Sequence, residues 1–222
     1  VESLECLGYS VHFPREQLCC GIPARYSGEV EVARDMARLN TDILMKEQAD
    51  FVVTICPTCT MSLKHDFPNL LEGEPEHHAR SLELAAKVFN FAELAARKIV
   101  KSGIPGDGEP VTYHDACHLR RGCGVFREPR TVLEEIADRT VVEMEGPDTC
   151  CGFGGSYAFK FPEISYEILK KKMDAIAATG AGTVAVDCPG CKMQIEGGLE
   201  GIKSRVRVEH TATLVAERLR GI

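Results

Sequence analysis

Nine of the eleven cysteines fall into five short groups: Cys19-Cys20, Cys56-Pro-Thr-Cys59, a lone Cys117, Cys150-Cys151 and Cys188-Pro-Gly-Cys191. Cys117 stands 33 positions before Cys150, and Cys188 stands 37 positions after Cys151. Each of the last three groups lies in a stretch bearing Gly or Pro, so these five thiols are carried by loops. That many loop thiols exceed what core packing or a single disulfide requires, and a thiophilic metal centre is the chemistry they favour. A CxxC pair alone is shared by zinc sites, redox dithiols and iron–sulfur proteins. The adjacent pair is sharper. Neighbouring residues do not easily ligate one small tetrahedral ion, but they can grip different irons of an extended cluster. Gly152, Gly154 and Gly155 would let the backbone approach the sulfurs and donate N–H bonds to them. Iron–sulfur is the favoured reading; structural zinc, a thiol–disulfide relay and buried packing cysteines stay open.

The elements that must position these thiols come in two similar runs. Leu18 to Tyr26 answers Thr149 to Tyr157, and Ile55 to Cys59 answers Asp187 to Cys191, at offsets of 131 and 132. Lys87 to Ile99 aligns on Arg207 to Leu219 at an offset of 120, which leaves the first run about 12 residues longer, in the acidic, His-bearing stretch Leu71 to Glu83. An internal duplication follows. A first-run counterpart of Cys117 would fall ahead of Val1, and Cys6, only 13 positions before Cys19, is a poor replacement. The expectation is that the chain is an N-terminally truncated piece. The fold expected is α/β: two tandem Rossmann-like domains with short parallel sheets, residues 1–102 and 110–222, joined by the Gly- and Pro-rich stretch from Gly103 to Pro110.

In the first domain the pattern predicts a helix over Val1 to Leu7, a strand over Tyr9 to Phe13, a helix over Gly28 to Gln48, a strand over Asp50 to Ile55, and a helix from Pro57 to His65. A helix over Arg80 to Ala86, a strand over Lys87 to Asn90 and a helix over Phe91 to Val100 complete it. In the second it predicts strands at Val111–His114, Val141–Met144, Thr183–Val186 and Val206–Val208, with helices at Thr131–Asp138, Pro162–Thr179 and Thr211–Arg220. Strands alternating with helices imply a parallel sheet, and all three cysteine groups of that half would emerge at the carboxyl ends of strands, where open α/β sheets bind ligands.

These motifs resemble the CCG-type cysteine-rich family, whose tandem domains occur in the cysteine-rich chain of heterodisulfide reductases and in the iron–sulfur subunits of glycolate oxidase, lactate-utilisation and anaerobic glycerol-3-phosphate dehydrogenase complexes. The residues that carry the resemblance are Tyr113 to Arg121 (YHDACHLRR), Cys150 to Gly155 (CCGFGG), Cys188 to Cys191, Cys19 to Gly21, and Cys56 to Cys59. It covers essentially the whole chain. The resemblance implies one or two iron–sulfur clusters of the [4Fe-4S] type, cubane or non-cubane. Cys117, Cys150, Cys151, Cys188 and Cys191 would be ligands of the second, and Cys19, Cys20, Cys56 and Cys59 ligands of the first, which lacks its leading cysteine. Gly152, Gly154, Gly155 and His118 would contact the cofactor. The function implied is that of an electron-transfer subunit of a flavin-linked 2-hydroxyacid (glycolate or lactate) oxidoreductase complex. Its partners would be a flavoprotein dehydrogenase subunit and a ferredoxin-type iron–sulfur domain or subunit. The alternatives are a heterodisulfide-reductase-like subunit whose cluster cleaves a disulfide, and a zinc-stabilised scaffold without redox turnover.

Other residues read more plainly. His114 and His118 flank Cys117 and would relay protons, donate to sulfide or simply fix the loop. Arg120, Arg121 and Lys160 would meet substrate carboxylates or stay solvated, Cys123 lies outside the motif, and His77-His78 and Lys170-Lys171-Lys172 read as exposed surface. The chain of 222 residues is 44% hydrophobic and 27% charged with a net charge of −7, an ordinary globular composition whose acidity argues against nucleic-acid or direct membrane binding. No apolar run reaches the length of a membrane span. The cysteine count and spacing favour a reducing compartment, so a cytoplasmic location is expected, with any membrane association at the inner face and through partners.

Overall fold

The computed structural model describes residues 1–100 and 108–220. The expected linker from Gly103 therefore lies largely outside the described residues. The chain is α/β; its described residues form two sheets, both parallel throughout, and it divides into two compact units, Val11–Phe91 and a larger one formed by Val1–Ser10 together with Ala92–Ile222.

In chain order, α1 spans Glu2–Cys6, α2 Ile22–Tyr26 and α3 Val30–Lys46; β1 spans Val52–Thr54 and α4 Pro57–Met61; α5 spans Phe67–Leu71, α6 Pro75–Lys87, β2 Val88–Asn90 and α7 Phe91–Ala95. A π-helical turn, Ser62–Asp66, joins α4 to α5. The smaller unit pairs β1 with β2 in parallel, Val52 opposite Val88 and Thr54 opposite Asn90. Its core gathers Cys20, Ile22, Ala37, Leu63, Phe67, Leu71, Leu84 and Val88. The predicted strand at Tyr9–Phe13 is irregular chain instead: no neighbouring strand offers it a ladder among the described residues, and Phe13 is exposed. The extra stretch from Leu71 to Glu83 is largely helical, because Pro75 opens α6 at a position where its missing N–H costs nothing.

In the larger unit β3 spans Pro110–His114, α8 Glu128–Glu135, β4 Thr140–Val141, α9 Tyr157–Lys160, α10 Pro162–Ala178, β5 Thr183–Val186, α11 Pro189–Gly201, β6 Arg207–His210 and α12 Thr211–Leu219. The sheet order is β4-β3-β5-β6, with His114 opposite Val186 and Val186 opposite His210. All four residues of β5 are buried, as a central parallel strand covered on both faces requires. The α1 segment packs on α12, where Ser3 Oγ donates 2.9 Å to the Ala212 carbonyl.

Two departures from the sequence pattern bear on the site. The expected strand Val141–Met144 shortens to an edge strand of two residues, freeing the following chain to approach the sheet's carboxyl end. The sequence also hid α11, whose four glycines lower helix propensity. The close approach of α10 explains one of them: a Cβ on Gly198 would come within 2.7 Å of Leu169 Cδ2 and 2.8 Å of Met173 Sδ.

Candidate metal centre

In the larger unit the three cysteine groups follow the carboxyl ends of strands. Cys117 comes three residues after β3, and the β5 to α11 junction carries Cys188 as the residue before Pro189 and Cys191 in the first turn. Between them, the loop after β4 brings Cys150 and Cys151. That loop is shaped by Gly152, whose φ of +89° suits glycine. A Cβ there would lie 2.5 Å from the Ser165 carbonyl oxygen, and Ser165 Oγ in turn donates 2.9 Å to the Gly152 carbonyl. Gln194 of α11 donates to the same Ser165 hydroxyl at 3.0 Å, so α10 and α11 hold the turn together.

The thiols form a contiguous set. Cys151 and Cys191 sulfurs lie 3.3 Å apart, both buried. Hydrogen bonding from Cys150 and then Cys191 pushes the Cys151 thiol far below its usual range. The same contact with Cys151 pushes Cys150 and Cys191 up, and Cys188 adds to the effect on Cys191. Cys117 is near enough to act on Cys150, whose sulfur also accepts the Gly152 N–H at 3.3 Å. A buried thiol drawn toward its thiolate by further thiols around it is what a soft metal centre uses.

His114 completes the set. It ends β3, is 1% exposed, and neither ring nitrogen has a hydrogen-bond partner within ordinary geometry among the described residues. Its ligand-capable nitrogen and the sulfurs of Cys151 and Cys191 all lie within 4.8 Å of one another. A buried imidazole left without partners costs about 1–3 kcal/mol unless something occupies the space it faces. Clustered sulfur donors and an orphaned imidazole therefore fit a metal group. The sequence signal for His114 was its position at the buried end of a strand rather than its nearness to Cys117.

The remaining candidates around this centre are also accounted for. His118 opens a half-buried π-helical turn, His118–Gly122. Gly154 and Gly155 have φ of +55° and +61°; a Cβ on Gly154 would meet Tyr157 Cβ at 2.9 Å, whereas Gly155 faces open space. Arg120 pairs with Asp115 at 2.6 Å and Arg121 with Asp148 at 3.3 Å, so both are engaged within the protein. Cys123 packs against the core formed by α10, α11 and the sheet. Lys172, expected on an exposed face, is fully buried. It falls on the same stripe as Ser165, Leu169, Met173 and Ile176, so helical phase, not charge, decides its place.

The smaller unit repeats part of this geometry. Cys56 precedes Pro57 at the start of α4, as Cys188 precedes Pro189. Hydrogen bonding from Cys59 draws the Cys20 thiol down to about 6, while Cys59, bonded to Cys20 and Cys56, is pushed up. Ser62 Oγ donates 3.0 Å to the Cys20 carbonyl, and Cys19 is exposed. Cys20, Cys56 and Cys59 are thus gathered at one end of the β1–β2 pair.

A family model described as a cysteine-rich domain, CCG, matches residues 1–64 and 111–196. The chain belongs to the CCG cysteine-rich domain family. Among CCG-containing relatives, "Lactate utilization protein A" of Bacillus cytotoxicus is 33% identical over 221 residues, covering 98% of this chain and 90% of the relative. Proteins of the same name from Bacillus cereus and Bacillus thuringiensis are 32% identical over 223 residues, with the same coverage of 98% and 90%. Both segments matched to the CCG model include cysteine groups that the structure draws together: Cys20, Cys56 and Cys59 in the first, and Cys117, Cys150, Cys151, Cys188 and Cys191 in the second.

Proposed function

We propose that this CCG protein is the iron–sulfur electron-transfer subunit of a flavin-linked 2-hydroxyacid oxidoreductase complex, with lactate as the substrate class of its flavoprotein partner. The observation that carries the reading is the buried pair Cys151 and Cys191, 3.3 Å apart, with Cys150 and Cys188 in contact with it and the imidazole of His114 within 4.8 Å of both sulfurs. Likeness to proteins named for lactate utilisation supports the substrate class. Two tandem Rossmann-like halves related by duplication, residues 1–102 and 110–222, are part of the same proposal.

In this reading Cys117, Cys150, Cys151, Cys188 and Cys191 hold the second centre, and Cys19, Cys20, Cys56 and Cys59 the first. An iron–sulfur centre of the [4Fe-4S] class supplies one-electron transfer when bound. The chain's own residues do the rest: Gly152 lets its N–H reach the Cys150 sulfur, Ser165 and Gln194 fix that turn, and the sheet end excludes water from Cys151 and Cys191. The partners are a flavoprotein dehydrogenase and a ferredoxin-type iron–sulfur domain or subunit. A cytoplasmic location with membrane contact only through partners belongs to the proposal; among the described residues no helix is long and apolar enough to cross a membrane.

A second reading, a zinc-stabilised scaffold, is favoured by one observation: a nitrogen and two sulfurs within 4.8 Å is the size of a mononuclear site. Anaerobic purification followed by iron, sulfide and zinc analysis and EPR separates the two. Brown protein with iron and sulfide, whose content falls in Cys151→Ser and Cys191→Ser but is unchanged in Cys6→Ser, supports the electron-transfer reading. Colourless protein with stoichiometric zinc overturns it.

A further inference from the structure

Lys172 is fully buried, and its ammonium makes no ion pair within hydrogen-bond distance among the described residues. Its Nζ donates to the Gly146 carbonyl at 2.8 Å and the Pro147 carbonyl at 3.2 Å, and lies 3.6 Å from Met144 Sδ. The Pro147 carbonyl also accepts the Asp115 N–H at 3.0 Å, so one node joins the lysine, the end of β3 and the loop leading to Cys150. A cation in such a place is costly unless negative charge lies nearby. Burial does pull the ammonium toward the neutral form, and the groups whose negative charge opposes this are Cys151 first, then Asp148 and Asp115, with Cys191 adding least. Two of those four are thiols of the candidate centre.

The smaller unit provides an internal comparison. The buried positions of α3 are Ala33, Ala37, Asn40 and Thr41, and those of α10 include Ser165, Leu169, Lys172 and Met173, a match at an offset of 132. Asn40 stands where Lys172 stands and makes the corresponding contacts: its Nδ2 donates 2.9 Å to the Cys19 carbonyl and its Oδ1 accepts the Leu18 N–H at 2.8 Å. Both side chains therefore clamp the loop entering an adjacent cysteine pair, but only one of them brings a charge.

We propose that Lys172 is the counter-charge of the second cysteine site, a positioning residue that favours the more negative state of whatever that site binds and makes the two sites electrically unequal. Where a site holds an iron–sulfur centre, a nearby fixed cation stabilises the reduced form, so the second centre is the more easily reduced of the two. This part of the inference rests on the iron–sulfur reading; the attraction of metal-binding thiolates by the lysine does not.

The test uses the full chain with Lys172→Met, which removes charge and hydrogen bonds, and Lys172→Gln, which keeps an N–H donor without charge. In an EPR-monitored redox titration of iron-loaded protein, both variants are expected to shift one couple toward the oxidised form by about tenfold, which is ~59 mV for a one-electron couple. A purely structural clamp would change iron content but leave that couple in place, and an unmoved couple in loaded Lys172→Gln overturns the proposal. In parallel, metal-free protein is titrated with Cd²⁺, read by thiolate-to-metal charge-transfer absorption. Binding about tenfold weaker in both variants is expected, on the scale at which a buried charge acts on neighbouring anions; equal binding overturns the proposal. If the unaltered chain takes up no iron and sulfide, the proposed function fails while the Cd²⁺ titration still decides the role of Lys172. Failure of both variants to fold would also overturn it, since the ammonium would then be a clamp rather than a counter-charge.

Discussion

Tyr113 Oη donates a 2.6 Å hydrogen bond to Asp187 Oδ2, joining two buried side chains 74 positions apart. Tyr113 lies in β3 one residue before His114, and Asp187 lies between β5 and Cys188, so the bond ties the strand that ends at the imidazole to the strand that delivers the CxxC pair. Asp187 Oδ1 has no hydrogen-bond partner among the described residues, and burial raises the carboxyl's pKa. His210 supports the same corner: its Nδ1 accepts the Ala212 N–H at 3.0 Å, which puts the proton on Nε2, 3.0 Å from the Asp187 carbonyl oxygen. Tyr113→Phe removes the 2.6 Å donor to the carboxyl while keeping the ring under the Arg130 guanidinium. The expected cost is ~1–3 kcal/mol of unfolding free energy by urea titration, with reduced iron content at the second site. Unchanged stability and iron content would show that the bond does not position Cys188.

Gly152 and Gly155 have positive φ and sit three residues apart, but only the first meets a backbone oxygen. Gly155→Ala carries the left-handed backbone penalty alone, ~1–2 kcal/mol. Gly152→Ala adds a Cβ 2.5 Å from the Ser165 carbonyl, and relief requires α10 to move away from the turn that holds Cys150 and Cys151. The greater stability loss in Gly152→Ala, with metal retention falling in that variant and not in Gly155→Ala, is the outcome to look for by urea unfolding and metal analysis. Equal losses would mean that the turn gives way without cost.

How legible this was in the sequence depended on which signal each part used. The cysteine loops were punctuated by Gly and Pro, and the buried strand Thr183–Val186 by its β-branched Thr and Val residues, so their places followed from local chemistry. The helix α11 was not legible, because Gly197, Gly198 and Gly201 weaken the local signal and Gly198 is there for a neighbour, Leu169, that only the fold brings close. Lys172 misled because three consecutive lysines look solvated, although the third alone shares the phase of Leu169 and Ile176. The contact of His114 with Cys151 and Cys191 joins three separate strand ends or loops, and no spacing within one segment encodes it.

The orphaned nitrogens of His114 give a prediction with two signs. In metal-free protein the buried imidazole is unsatisfied, so His114→Leu is expected to stabilise that form by up to ~1–3 kcal/mol. In metal-loaded protein the same change removes a donor beside Cys151 and Cys191, so the stabilisation gained on loading shrinks. Thermal unfolding of both forms, before and after chelation, reads the effect. A variant less stable than the parent in the metal-free form would mean that the imidazole is satisfied within the protein itself.

Glu74, the residue before α6, binds Arg38 of α3 through both carboxylate oxygens, at 2.6 and 2.9 Å from Nε. This hydrogen bond holds the Glu74 carboxyl below its usual range. A carboxyl whose pKa is lower in the folded than in the unfolded chain stabilises the fold above its unfolded value, and that contribution disappears as pH falls through the folded value. The carboxyl is solvent-accessible, so the effect is modest and weakened by salt. Glu74→Gln is therefore expected to lower Tm at pH 7 in dilute buffer. The gap from the parent should narrow as pH drops below about 4.5, the ordinary glutamate value, and close once the native carboxyl is also protonated. A gap that persists undiminished in acid would assign the effect to packing at the start of α6 instead of to the ion pair.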